Sequence, residues 1–454
     1  MKWVALLIIL MAITPLASWL RRNPTKTHLA WVFVGLMPFL ITIAHLVMSI
    51  RLVDDVVLHH TQGMEFSVLD ALVIALYFSA PRDRYSLPFR PEMAAYFLAV
   101  TVSLFQSIAP EYSLFYSWQL LRMFFVYAVV ARACMDMRIV RAILQGMAIG
   151  LCFQAPVSLI QRFGGGVVQA SGTFDHQNIL GLVSHFVVFP FFMAFLDGVW
   201  GFMPALVVVS GVIVVVMTGS RGAIGMAGIG YVEAYVISAI GSFSKRKMII
   251  LSAAILALFV LVPAAVSSIE GRGTAEIEGS DEARESLKEA AGMMLADHPF
   301  GVGANTYIQI ANLGGYNAAA NVDYTSWVVF VHNAYWIVAA ETGYLGVITF
   351  VIMLLRPTFV AFACGFRHRK DQRGRLLLGL GVALLTVEIH GLFEWVMLKA
   401  IPQYFFAIEF GMVAGLARQL GYWRAANWQG TAKTMEARQG ESVRSIREPR
   451  SASF

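Results

Sequence analysis

Runs of apolar residues, each long enough to cross a lipid bilayer, recur along most of the chain. A membrane-spanning helix needs about 20 such residues. Only 14% of the 454 residues are charged, whereas soluble proteins carry about 25%. We therefore predict an all-α polytopic membrane protein rather than one water-soluble core. About 12–13 transmembrane helices are predicted, near 3–20, 28–50, 66–81, 92–110, 112–131, 139–161, 178–197, 200–218, 221–242, 248–268, 331–355, 375–397 and 400–418.

Basic residues cluster in the short segments between these spans, which is typical of cytoplasmic connections. This explains the net charge of +6 without nucleic-acid binding. Arg21 and Arg22 directly follow the first span and disfavour its export, so we predict a helix there and not a signal peptide. The connections 51–65, 162–177 and 269–330 then lie on the outer face. The basic clusters are Arg21, Arg22 and Lys26; Arg82, Arg84 and Arg90; Arg132 and Arg138; Lys245, Arg246 and Lys247; and Arg367, Arg369, Lys370, Arg373 and Arg375.

Three regions follow from this topology. Residues 1–161 form N-terminal transmembrane helices, and residues 162–418 form a second transmembrane region that contains the long outer loop 269–330. Residues 419–454 form a polar, basic cytoplasmic tail that we expect to be disordered. The three cysteines (Cys134, Cys152 and Cys364) lie where no disulfide is expected, and no C-x-x-C metal spacing occurs.

The long outer loop contains a predicted amphipathic helix from about 281 to 296. Ser280 is a candidate N-cap, and Arg284 precedes Leu287 by three residues on the apolar face. The helix is expected to lie against the membrane surface and to point this arginine at it. The alternative is a solvated helix in which Arg284 pairs with Glu285 or Glu289. The apolar face comprises Leu287, Ala290, Ala291, Met294 and Leu295.

Three groups able to bind or titrate converge on the predicted outer face. Arg221 begins a helix, and the N-terminal amides and dipole of that helix favour a bound anion. Arg284 is a second cation, and His332 stands at the outer start of the helix that follows the loop. The alternatives are a snorkelling arginine at 221 and a purely structural histidine at 332.

Four segments, in order and on the predicted outer side, resemble landmarks of the bacterial O-antigen ligase and polymerase family. They are SGTFDHQNILG (171–181), MTGSRGA (217–223), HPFGVGANTY (298–307) and HNAYWIVAAETGYLG (332–346). The resemblance covers roughly residues 170–400. It implies a GT-C-like integral-membrane transferase that needs no metal, nucleotide or other cofactor.

The resemblance also implies roles and partners. Arg221 and Arg284 would hold the diphosphate of a polyprenyl-diphosphate-linked glycan, and His332 would lie at the acceptor site. Asn333, Gly343 and Gly346 would support it. The acceptor would be lipid A–core or a second lipid-linked glycan, and the site would face the periplasm from the bacterial inner membrane.

The chemistry of these residue types agrees with that implication. Arginine makes paired, charge-assisted hydrogen bonds to phosphate oxygens. Fixed cations stabilise charge that develops on a leaving diphosphate, and a neutral histidine accepts a proton near pH 7. We therefore expect direct displacement at the anomeric carbon, with His332 as general base and inversion of configuration.

Other polar groups are assigned structural roles. Gly343 and Gly346, together with Ala339 and Ala340, are predicted to form a narrow face for helix packing. Glu394 is a candidate partner for His332, and Glu341 is predicted to lie too deep to reach it. The remaining buried charges (Asp70, Arg122, Glu388 and His390) are expected to form structural pairs. Four polar residues of the first outer connection (Asp54, Asp55, His59 and His60) are expected to be solvated rather than to bind a metal.

Two other functional classes remain open at this stage. A lipid-linked oligosaccharide flippase has a similar number of helices, but transporters commonly show two related halves and a midplane site, and neither is evident here. A non-catalytic scaffold would not need the two arginines and the histidine to converge. Among transferases the histidine segment favours a ligase slightly over a polymerase, and the sequence does not specify the sugar, the linkage or the oligomeric state.

Overall fold

The computed structural model describes residues 2–40, 47–50, 59–80, 86–270 and 274–423. About four-fifths of these residues are helical. The α-helices are α1 (Lys2–Arg22), α2 (Thr27–Leu40), α3 (Val68–Ser79), α4 (Arg90–Leu104), α5 (Pro110–Ala133), α6 (Met137–Leu159), α7 (Gln177–Asp197), α8 (Met203–Thr218), α9 (Arg221–Gly241), α10 (Lys245–Glu270), α11 (Thr274–Asp297), α12 (Tyr307–Leu313), α13 (Tyr316–Ala319), α14 (Ala334–Arg367), α15 (Gln372–His390) and α16 (Ala400–Gln419). A short antiparallel pair joins β1 (Val47–Ile50) to β2 (Met64–Ser67).

The prediction of an all-α polytopic membrane protein is confirmed. Each predicted apolar span overlaps one of the helices α1 to α10 or α14 to α16. Seven helices in the described ranges are long and apolar enough to cross a membrane: α1, α5, α6 with its π-helical extension, α7, α9, α14 and α16. Helices α3 and α8 are shorter apolar helices. The total of 12–13 crossings and the domain boundaries therefore stay predictions.

Two predicted spans are wrong in their extent. The span 28–50 ends as helix α2 at Leu40, and its last four residues form β1, where Val47 pairs with Ser67. The span 375–397 ends at His390, because a turn and a 3-10 helix (Val396–Leu398) intervene before α16. This turn carries Glu394 out of the helical segment. The predictions for Asp54, Asp55 and most of the tail (424–454) fall outside the described residues.

Helices α7 and α16 form the centre of the bundle. In the most hydrophobic 18-residue stretch of α7, 94% of the residues are buried, and in the corresponding stretch of α16 89% are buried. A helix that is apolar all round is stable only when neighbours surround it, and α7 packs against α6, α8, α9, α15 and α16. Between the start of α7 and α9, Gly181 approaches Ala223 so closely that a Cβ would lie 2.6 Å from the alanine methyl group.

Helices α7 and α9 begin at the end of the bundle where α15 finishes. Gly222, in the first turn of α9, lies against His390, the last residue of α15. At the opposite end, Arg375 near the start of α15 pairs with Asp197, the last residue of α7, at 2.5 Å. We call the first of these the outer end and the second the inner end. Among the predicted site residues, Arg221, His332, Asn333 and Glu394 lie at the outer end, and Gly343 and Gly346 lie deeper along α14.

Helix α14 is broken at Gly343, which has φ 70° and ψ −171°. The segment 299–303 docks into this break. Val302 and Gly303 donate backbone hydrogen bonds to the carbonyl groups of Ala340 and Glu341 (3.1 and 2.9 Å), and Tyr344 donates to the Pro299 carbonyl (3.0 Å). The polar groups that the break exposes are thereby satisfied inside the protein, as a lipid environment requires.

Candidate active site

A buried carboxylate at the outer end joins two of the predicted site residues. Glu394 lies with one oxygen 3.3 Å from Nδ1 of His332 and the other 3.7 Å from a terminal nitrogen of Arg284. Its side chain is 4% exposed, whereas those of His332 and Arg284 are 24% and 32% exposed. The carboxylate is therefore buried beneath two groups that a ligand can still reach.

The pKa of Glu394 shows how strongly this cluster favours the ionised carboxylate. Burial acts to raise the pKa, but the hydrogen bond and charge of His332, with His390 and Arg284 nearby, outweigh it. The net effect lowers the pKa of Glu394 below its ordinary value. Opposite charges within a few ångström stabilise a charged group in this way. The predicted partnership between Glu394 and His332 is thus present in the structure.

Backbone contacts hold the histidine segment against the α15–α16 turn. Asn333 caps α14 by accepting hydrogen bonds from the amides of Tyr335 and Trp336, and its side chain donates to the Leu392 carbonyl at 3.0 Å. The amide of Ala334 donates to the Gly391 carbonyl at 2.9 Å. Asn333 therefore places His332 beside Glu394 and satisfies a helix N-terminus at once.

Arg284 reaches the cluster because α11 packs on α14. The predicted apolar face is buried, with Leu287 at 1% and Ala290 and Ala291 at 0% exposure. It contacts protein, so the expectation that it lies on the membrane surface is wrong for this face. Arg284 pairs with Glu394 at 3.7 Å rather than with Glu285 or Glu289, so the alternative prediction is wrong as well.

Helix α11 also begins at Thr274, before the predicted N-cap at Ser280. The predicted helix start at Ser280, which rested on its capping side chain and the acidic residues after it, is therefore wrong. The helix continues through that position.

Arg221 is the first residue of α9, at the same end of the bundle. The Ser220 side chain caps this helix by accepting a hydrogen bond from the Ala223 amide. The preceding turn is braced by the connection 165–176, in which Ala170 donates to the Met217 carbonyl at 3.0 Å. Arg221 lies in the turn that packs on His390 through Gly222. His390 precedes Glu394 by four residues in the chain.

The family comparison decides the classification of this region. The model of the O-antigen ligase family matches residues 206–351. Residues 206–351 are an O-antigen ligase-like region. The match contains Arg221, Arg284, His332, Gly343 and Gly346, and the resemblance inferred from the sequence is thereby confirmed. A search of curated proteins gave no match. An activity of the O-antigen ligase or polymerase type is supported at this general level.

Glu394 lies beyond the O-antigen ligase-like region, and the structure brings it to His332, its predicted partner. Two further residues outside this region, which the sequence interpretation did not select, lie nearby. His176 is near enough to Glu394, His332 and Lys399 to interact electrostatically with each of them. Lys399 reaches the cluster through this interaction with His176. Lys399 also lies 5.2 Å from the Trp395 ring centre.

The environment of these two groups differs from that of Glu394. Burial lowers the pKa of His176, and Glu394 only partly offsets this, so the imidazole is neutral at pH 7. Burial also lowers the pKa of Lys399, against the opposing effect of Asp175 and Glu65. The sequence did contain signals for both. His176 lies in one of the family-like segments, and Lys399 is a cation on the outer side, against the positive-inside pattern.

The two glycines of the O-antigen ligase-like region serve a different purpose from the predicted helix–helix face. A Cβ at Gly343 would lie 2.2 Å from the Pro299 carbonyl oxygen, and one at Gly346 would lie 1.8 Å from Oγ1 of Thr342. Gly343 also has the positive φ that glycine tolerates best. Gly343 therefore permits the break in α14, and its partner is the 299–303 segment rather than another helix. At Gly346 the close neighbour is Thr342 of the same helix.

The buried polar residues below the site pair only in part as predicted. Arg122 pairs with Asp70 at 3.2 Å. Glu341 pairs with His60 at 3.1 Å and also accepts from the Tyr307 amide. The expectation that His59 and His60 are solvated is therefore wrong; they are 4% and 6% exposed.

Two further buried residues depart from the predicted pairing. Glu388 accepts a hydrogen bond from Thr358 rather than pairing with His390. No cluster of three or more metal-ligating side chains occurs within the described ranges.

Proposed function

We propose that this protein transfers a glycan from a polyprenyl diphosphate carrier to an acceptor hydroxyl at the periplasmic face of the bacterial inner membrane. The acceptor is lipid A–core for a ligase or a second lipid-linked glycan for a polymerase, and ligase is the reading we favour. The observation that carries the proposal is the cluster in which Arg284 and His332, 48 positions apart, share Glu394. A scaffold has no need of this arrangement.

His332 is proposed as the general base. With its Nδ1 proton donated to Glu394, the Nε2 atom is the acceptor for the proton of the attacking hydroxyl. A buried carboxylate in this position orients the imidazole and stabilises its protonated form, as in other base–carboxylate pairs. Because His332 is partly exposed, an acceptor can approach it from the outer side.

Arg284 and Arg221 are proposed to bind the diphosphate. The acceptor oxygen forms a bond to the anomeric carbon while the bond from that carbon to the phosphate oxygen breaks. The electron pair of the broken bond remains on the diphosphate, and the hydroxyl proton passes to His332. A single displacement inverts the anomeric configuration. Guanidinium groups held before the reaction stabilise the charge that develops on the diphosphate.

Lys399 is proposed as a third cation for the same diphosphate. It is partly buried, and the nearby Asp175 and Glu65 favour its charged form. His176, neutral at pH 7, is proposed to donate a hydrogen bond to the glycan or to accept one from it. Together with His332 these residues define one side of the donor site.

The decisive experiment uses the purified full chain in lipid nanodiscs. Polyprenyl-diphosphate glycan is added with lipid A–core, with a second lipid-linked glycan, or with neither, and without metal or nucleotide. Products are resolved by gel electrophoresis and mass spectrometry, and the released carrier diphosphate is measured. His332→Ala and the exposed-residue control His28→Ala are assayed in parallel.

Each outcome separates the functional classes. Transfer to lipid A–core establishes a ligase, and elongation on the carrier establishes a polymerase. Movement of the donor across the bilayer of proteoliposomes without transfer would replace the proposal by a flippase. Full activity of His332→Ala would remove His332 as the base and leave a transferase of another mechanism.

A further inference from the structure

A cavity of about 340 Å³ opens at the inner end, far from the candidate active site. It lies between the last turns of α7 and α9 and the first turns of α15. Its lining consists of Met193, Asp197, Ile237, Ser238, Gly241, Ser242, Arg369, Lys370, Arg375 and Leu378.

The charge of this lining is strongly positive. Among the described lining residues Asp197 alone is acidic, and it is already neutralised twice. One oxygen lies 2.5 Å from Arg375, and the other lies 3.6 Å from the buried amino group of Lys247. Arg369 and Lys370 thus provide positive charge that the Asp197 carboxylate does not cancel. The N-terminus of α15, which follows them, is already capped by the Asp371 carboxylate.

The cavity is amphiphilic as well as basic. Met193, Ile237 and Leu378 supply its apolar lining. Near the inner end of α9, on the side that faces away from the bundle, Val236 and Ile240 are 47% and 74% exposed. This exposed apolar surface suits contact with acyl chains. A positive-inside signal requires only charges that flank a span. The positive-inside signal does not require a cavity between three helices. Nor does it require that the one acidic residue among the described lining residues, Asp197, pair with two cations.

We propose that this cavity binds the headgroup phosphate of an anionic phospholipid from the inner leaflet. Arg369 and Lys370 contact the phosphate, and Asp197 holds Arg375 in position at the base of the site. Basic pockets between transmembrane helices recognise anionic headgroups through this chemistry. The acyl chains lie along the exposed face of α9. This proposal does not depend on the reaction at the outer end.

Binding here would brace three helices that also build the outer end. Helix α7 begins beside His176, α9 begins with Arg221, and α15 leads into the turn that carries Glu394. A lipid that ties their inner ends together stabilises the folded state according to its occupancy. We therefore expect the melting temperature in nanodiscs to rise when phosphatidylglycerol is added to phosphatidylcholine.

Lipid binding is measured by native mass spectrometry of the full chain released from nanodiscs of phosphatidylcholine with or without phosphatidylglycerol. The double variant Arg369→Gln with Lys370→Gln is compared with Arg22→Gln with Arg90→Gln. The second pair removes the same charge at the same predicted face, but neither residue lines the cavity. With about 1 kcal/mol per basic residue, the first pair should weaken retention roughly 30-fold, and the control pair should leave it near wild type.

Protection of Lys370 in the wild-type protein provides a measurement that does not depend on folding of a variant. An amine-reactive reagent should label Lys370 more slowly in phosphatidylglycerol nanodiscs than in phosphatidylcholine nanodiscs, while labelling of Lys26 stays unchanged. Equal retention by both double variants, or equal labelling of Lys370 in both lipids, would overturn the proposal. Equal protection by inorganic phosphate in phosphatidylcholine nanodiscs would show an anion site and refute the lipid.

Discussion

The two ends of the α7, α9 and α15 group carry similar residue types in different arrangements. At the inner end, Asp371 and Arg373 are two positions apart and make a local, partly exposed pair at 2.6 Å. At the outer end, Glu394 gathers Arg284 and His332 from two distant segments, and it is almost completely buried. Exposed local pairs contribute little to stability. A buried carboxylate must have partners, because burying it alone is costly.

This difference teaches why the outer end is the better candidate for catalysis. Preorganised charges in a site that excludes water act far more strongly on a developing charge than exposed ones. The inner end offers cations on a connecting segment, which suits binding at a surface. The following substitutions test this contrast by pairing each outer residue with a matched control.

The largest expected effect is that of His332→Ala compared with His368→Ala, which lies at the other end of α14. Loss of a general base reduces the rate by about 10²–10⁴-fold, whereas the inner histidine should have no effect on transfer. The turnover rate in the nanodisc assay and the amount of protein in the membrane are measured together. Comparable loss of activity in the two variants would contradict the assignment of catalysis to the outer end alone.

The next effect concerns the arginine forks. Arg221→Lys and Arg284→Lys keep the charge but lose the paired donors, and removal of one stabilising donor costs about 10²-fold in rate. Arg373→Lys at the inner end is the matched control and should retain full transfer. Initial rates at saturating donor are the measurement. Wild-type rates in Arg284→Lys would mean that its charge alone is sufficient.

A third test addresses the break in α14. Gly343→Ala forces a positive φ on a residue with a side chain and brings its Cβ 2.2 Å from the Pro299 oxygen. Strain of this kind costs about 1–3 kcal/mol, so the melting temperature should fall. Gly225→Ala in α9 meets open space and should be neutral or slightly stabilising. A Gly343→Ala protein as stable as wild type would show that the 299–303 segment can move away.

The smallest effect is the dependence of stability on acid. The pKa of Glu394 is lowered in the folded protein, mainly through His332 against the effect of burial. Its contribution is therefore complete above the ordinary value of about 4.3, and it disappears as the pH falls through the lower folded pKa. The difference in melting temperature between wild type and Glu394→Gln should shrink from pH 7 toward pH 3.

Asp371→Asn is the inner-end control for this measurement. The hydrogen bond from Arg373 lowers the pKa of Asp371 too, so the sign of the pH dependence is the same. Its pair is partly exposed, hence we expect a smaller difference. An equal or larger change in Asp371→Asn would contradict the assignment of the stronger charge cluster to the outer end.

Helix positions were the most predictable property of this protein. The thickness of the bilayer sets the length of an apolar run that can span it, so such runs mark helices directly. Every predicted span overlaps a helix. The errors lie at the ends of spans. Residues 47–50 pair with β2, which is a non-local contact, and the turn after His390 carries Glu394 out of α15. Hydropathy averages over a window and does not register such local changes of backbone.

The sequence by itself determined the membrane class, the order of the helices and the types of residue able to bind a diphosphate. The tertiary structure alone decided which of them meet. Glu394, His176 and Lys399 approach the O-antigen ligase-like region through folding. His59 becomes buried against Asn305, and His60 becomes buried against Glu341. Local patterns encode solvent preference and helix propensity, whereas the convergence of charges depends on how distant helices pack around a core that must leave no polar group unsatisfied.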